Sequence, residues 1–280
     1  MNVVLLGCTT AALFGCADFF GGMASRRDSA LAVTANAHLV GAAVFAIAVV
    51  IFPAAHSSGD LVWGAIAGVS GGIGVACLYG ALAIGRMSIV APITAALSGA
   101  LPAAVDLLRG TRVGPFSIGG ITLALVAIVV VSMNAHPDDR AQMPPRAVAL
   151  ALLAGIGFAG SFLAFAMTAK TSGLWPLLAA RATSAAMLGA ITLVRRRGRL
   201  AVVPEARLAT YGAGALDTAA NITMLAAIRI GPLAIASVLG SLYPVMTILL
   251  ARIVLGERMR WLQRAGVAIA LVAVVLTALR

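Results

Sequence analysis

The chain has 280 residues, of which 61% are hydrophobic and 10% charged, with a mean hydropathy of +1.05. Soluble domains carry about 25% charged residues, so no water-bounded core absorbs this much apolar side chain, and the surrounding medium is a bilayer. The net charge of +11 does not indicate a nucleic-acid surface, because aromatic residues are scarce and the arginines sit in short breaks between apolar runs, as in cytoplasmic loops.

A helix needs about 20 apolar residues to cross ~30 Å of hydrocarbon. In chain order that ruler predicts spans at 3–24, 30–52, 61–84, 88–108, 115–134, 146–169, 173–194, 207–228, 232–255 and 261–279. The expected fold class is therefore an all-α integral membrane protein of ten transmembrane helices. Residues 3–24 read as a retained span and not a signal peptide, since no basic residue precedes them and Arg26-Arg27 follow. Cys8, Cys16 and Cys77 lie within apolar runs without CxxC or Cys/His spacing, so neither a disulfide framework nor a metal site is expected. Gly64, Gly68 and Gly72 recur every four residues on the third span, a face on which another backbone can approach closely. Pro92 and Pro102 in the fourth span, and Pro244 in the ninth, are expected to kink their helices where neighbours or water satisfy the freed carbonyls.

The longest break, His136–Arg146, divides two related copies. Gly85, Gly110, Arg112 and Gly120 recur 146 positions later as Gly231, Gly256, Arg258 and Gly266, and ALVA at 124–127 recurs at 270–273. Near the start of each copy the shift is 144, where Phe14 answers Phe158 and Met23 answers Met167. The chain thus reads as one unit written twice, over 1–134 and 146–280. Five spans per copy is an odd number, so the second copy enters the membrane inverted, as in many alternating-access carriers. If the loops after the odd-numbered spans face the cytoplasm, they hold 14 of the 20 Lys and Arg residues, which puts both termini outside.

The run GPLAIASVLGSLYPVMTILLARIVLGER, followed by GVAIALVAVVLTAL, resembles the C-terminal repeat of EamA-type members of the drug/metabolite transporter superfamily. The N-terminal copy is similar less closely, with Thr111 where the second copy has Glu257. The resemblance implies ten helices in two inverted five-helix repeats around a central cavity. It further implies export of amino acids, metabolites or toxic compounds across a bacterial inner membrane, often by exchange with protons and without a cofactor.

Ionisable groups at membrane depth are costly, and so are functional candidates. Asp217 lies at the centre of the eighth span, with Asn221 one turn on along the same face. Two readings stand: a cavity-lining pair that meets a polar substrate or a proton, or a carboxylate neutralised structurally by Arg181 in the seventh span. Asp18, Asn36 and His38 fall at similar depth if the first two spans form a hairpin, either as a proton-linked cluster or as packing contacts. Tyr243, beside Pro244, either faces the cavity or packs. Trp175 reads as an interface anchor. Glu257 either fixes a helix end or latches a gate.

No Gly-rich phosphate loop and no Ser/His/Asp set accompanies these residues, so an enzyme is not expected. The leading expectation is a secondary transporter of small molecules in the lipid bilayer, proton-coupled or not. Two fused repeats suffice for a self-contained monomer. The alternative is a non-transporting membrane scaffold or an intramembrane enzyme.

Overall fold

In a computed structural model, residues 2–132, 144–255 and 261–278 are described. Glu257 and His136 lie outside them, and with them the gate-latch expectation.

Every described element is helical: α1 (Val3–Ser25), α2 (Ala30–Ile51), α3 (Ser58–Ile84), α4 (Met87–Leu108), α5 (Pro115–Ser132), α6 (Pro145–Ala166), α7 (Trp175–Arg195), α8 (Pro204–Ile230), α9 (Leu233–Gly240), α10 (Tyr243–Leu255) and α11 (Trp261–Ala278). Helix starts follow local chemistry. Asn2 caps α1 by accepting the Val4 N–H, and Ser57 and Asp60 close a reciprocal capping box on α3. Pro145, Pro176 and Pro204 open α6, α7 and α8, where a missing N–H costs nothing.

Among the described residues, seven stretches are long and apolar enough to cross a membrane: α1, α2, α3, α4, α6, α7 and the α9–α10 stretch. Helices α5 and α11 are apolar but short, and α8 is long but interrupted by charge. Large apolar side chains such as Ile47, Val50 and Leu208 point outward, the distribution expected where lipid replaces water.

The expected ninth span is not one continuous helix. It breaks at Ser241-Leu242, because Pro244 has no N–H to return to the Gly240 carbonyl. The chain tightens there instead, with the Leu242 N–H donating to the Leu239 carbonyl at 3.1 Å. Pro92 and Pro102, by contrast, lie inside an unbroken α4.

The two sequence halves do not form separate cores. The closest-packed pairs are α1 with α8, α3 with α6, and α5 with α11, each joining one half to the other. When the two halves are exchanged, the pair α3–α7 becomes α8–α2, and α4–α6 becomes the pairing of α9 and α10 with α1. All four are observed.

Two close approaches set the depth of the interior polar groups. The glycine stripe of α3 lies against α7: a Cβ on Gly68 would sit 2.2 Å from the Ala180 carbonyl oxygen, and one on Gly72 would sit 2.8 Å from the Ser184 Cβ. On α8, a Cβ on Gly214 would sit 2.7 Å from the Ala37 carbonyl oxygen of α2. Only glycine fits either crossing.

Candidate functional site

Those two crossings bring α2, α7 and α8 together at one point. Arg181, Asp217, His38 and Ser184 are all buried there. Arg181 Nη2 forms an ion pair with Asp217 Oδ2, and its Nη1 lies 2.8 Å from His38 Nε2. His38 Nδ1 is 2.8 Å from the Ser184 hydroxyl. Asn221 Nδ2 donates to Asp217 Oδ1 at 3.2 Å and to the Asp217 carbonyl at 2.8 Å.

These contacts fix the histidine tautomer. A guanidinium has only donors and keeps its charge, so His38 Nε2 must accept. The ring proton then sits on Nδ1 and is donated to Ser184 Oγ. Ser184 in turn directs its own proton to the Arg181 carbonyl at 3.3 Å. The cluster therefore carries one cation, one anion and a neutral imidazole, so no net charge is left in the low-dielectric interior.

Arg181, Ser184, Asp217 and Asn221 form the polar wall of a narrow cavity of about 30 Å³. Phe14, Phe158, Phe162 and Phe165 form much of the rest, with the Phe14 and Phe162 ring centroids 6.4 Å apart. A dipolar wall facing aromatic rings suits a small molecule with a charged or polar head and an apolar body, and ring faces also attract cations.

The other predicted residues are placed elsewhere. Asp18, His38 and Asn36 are not one cluster. Residues two apart on a helix face different ways, so while His38 joins the ion pair, Asn36 Nδ2 donates to the Ala32 and Leu200 carbonyls at 2.8 and 2.9 Å. It ties α2 to the α7–α8 connection. Asp18 is 6% exposed and has no hydrogen bond or ion pair among the described residues, and it lies within electrostatic reach of Tyr79, Tyr243 and Asp217. Tyr243 is buried at the first turn of α10, its hydroxyl 3.4 Å from the Ala91 carbonyl of α4. Trp175 donates through Nε1 to the Ala54 carbonyl at 3.2 Å and stacks on His56 at 4.0 Å.

Sequence reasoning missed Ser184 and the aromatic wall. The spacings along the chain held a signal for both: Ser184 stands 146 positions after His38, and Phe158 stands 144 after Phe14.

Both ends of the bundle are tied. At one end Asp28 pairs with Arg196 at 3.2 Å and accepts the Val203 N–H at 2.8 Å, while Arg27 donates to the Glu205 carbonyl at 2.8 Å. At the other, Asp60 accepts the Ala169 N–H at 2.6 Å and Asp106 accepts the Ala234 N–H at 2.8 Å.

Residues 145–279 match the model of the EamA-like transporter family. Over those residues the chain is similar to EamA-like transporters. All the charged and amide members of the ion-pair cluster, Arg181, Asp217 and Asn221, fall within the matched residues. A solved crystal structure, described only as that of a protein, superposes with a TM-score of 0.75 over 99% of this chain and 96% of its own, at 19% identity. At that identity the likeness speaks for the fold alone, and it extends the fold over both halves. No curated protein matches the sequence. The apolar helices and this match together support a multi-pass membrane protein whose second half is similar to EamA-like transporters.

Proposed function

We propose that this protein is a secondary carrier that exports a small metabolite, amino acid or drug from the bacterial cytoplasm by alternating access. The observation that carries the reading is the buried Arg181–Asp217 pair set into an aromatic cavity. A zwitterion answers such a wall in both charges: its carboxylate takes the outward N–H groups of Arg181, and its ammonium takes Asp217 and a ring face. Paired with each other, the two residues are neutral as a unit.

In this reading residues 1–134 and 146–280 are inverted five-span repeats, with α9 and α10 together forming one of ten spans and both termini outside an inner membrane. The exchange relation among the helix pairs supports it. Rocking between states then breaks the ties at one end while the other stays closed. A monomer contains the whole path.

Asp18 is the proton-carrying group. A buried carboxyl without a donor is costly to charge, so it binds a proton when closed off and releases it when water reaches it. The test is flux in proteoliposomes of labelled amino acids, purines and cationic drugs, with and without a pH gradient. Flux of at least one substrate is expected, lost in Arg181→Gln and uncoupled from the gradient in Asp18→Asn. No flux with any class overturns the carrier reading. Flux indifferent to both the gradient and Asp18→Asn overturns proton coupling alone.

A further inference from the structure

A second cavity lies apart from the polar cluster. It is an open apolar groove of about 190 Å³, lined by Leu239, Leu242 and Leu249, by α11, and by Cys8 and Ala12 of α1. It exists because α11 packs along α5 and barely touches α1, which leaves a slot between helices that face the bilayer. We propose that this groove is a binding site for an anionic phospholipid, with one acyl chain in the slot and the phosphate at Arg252 and Arg264.

Helical geometry joins the slot to the charge. On α10, Val245 and Leu249 line the groove, and Arg252 continues the same face at i+7 and i+3. On α11, Val267, Leu271 and Val274 line it, and Arg264 precedes them on the same face at i−3, i−7 and i−10. Leu249 and Val267 share one end of the groove, so both guanidinium groups stand within about a turn beyond that end. Both arginines are exposed. A slot without polar side chains that ends in two cations matches a lipid tail and a phosphate, and Arg is the side chain suited to bidentate phosphate recognition. A zwitterionic lipid fills the slot equally well but presents its phosphate beside its own cation.

The positions also give the site a consequence. Leu239 lies in the last turn of α9, just before the break to α10, and Leu242 lies within that break, so a bound chain lies directly on the interruption.

The test is native mass spectrometry of the full-length protein, released from detergent after exchange into phosphatidylglycerol or phosphatidylcholine. One retained phosphatidylglycerol per chain is expected, with phosphatidylcholine weaker. Arg264→Gln should weaken phosphatidylglycerol about 5-fold, the worth of one arginine at a lipid surface, and leave phosphatidylcholine unchanged. Ala12→Trp, at an exposed position that fills the slot without cutting the core, should displace both. As a second readout, phosphatidylglycerol should slow maleimide labelling of Cys8 in the unmodified protein. Should Ala12→Trp fail to fold, Leu271→Trp takes its place. Equal retention of the two lipids, retention unaffected by the filled slot, or a dimer seated there in place of lipid overturns the proposal.

Discussion

Helices α3 and α8 are the same length, 27 residues, and begin and end 146 positions apart. Each carries a glycine at the same register, Gly68 and Gly214, pressed against a carbonyl of a neighbouring helix. Three residues later they part: α3 has Gly71 where α8 has Asp217, and Val75 where α8 has Asn221. One qualifies as a membrane span by hydropathy and the other does not. The shape of the element is thus repeated while its chemistry is confined to the second half, and the first half answers with a smooth face that lets α7 bring Arg181 close.

The largest effect should come from unbalancing the chemistry of α8. Asp217→Ala or Arg181→Ala leaves a buried charge without its partner, and each should destabilise the folded protein by about 3–5 kcal/mol. The double substitution should cost less than the sum of the singles. Unfolding midpoints in mild detergent for the four proteins close the cycle, and strict additivity would mean that the two groups do not interact.

The shared shape is tested by adding one methyl group at a time. Gly68→Ala and Gly214→Ala each force two helices apart, at about 1–3 kcal/mol. Gly189→Ala in α7, with nothing within 4 Å of the added carbon, should instead be neutral or stabilising by up to ~1 kcal/mol. If all three behave alike under the same detergent unfolding, the close crossings are not what fixes the bundle.

The smallest effect is expected at the end of the bundle. Asp28–Arg196 is an ion pair like Arg181–Asp217, but the Arg196 side chain is 25% exposed and solvent screens it. Arg196→Gln should shift stability by less than about 1 kcal/mol, and the shift should shrink further in high salt. A loss as large as that of Arg181→Ala would place this pair among the structural supports of the fold.

Much of the candidate site was legible because charge in an apolar run has no inconspicuous explanation. Asp217, Arg181 and Asp18 stood out on that ground, and Asn221 followed from a one-turn spacing. What stayed hidden depended on rotation about helix axes. His38 and Asn36 looked alike as polar residues of one span, yet one completes the ion pair and the other holds a loop. Tyr243 could face a cavity or a neighbour from the same position in the sequence, and it packs against α4. Pro244 and Pro92 are the same residue in apolar helices, but one ends a helix and the other is absorbed by it.

By itself, the sequence determined the medium and the approximate limits of most helices, because these rest on composition and on spacing along the chain. The tertiary structure alone decided that the halves interlock and that four polar side chains from three helices converge on one point. Such convergence depends on how closely helices pack and which way they turn, and no periodicity within a single helix encodes the position of another.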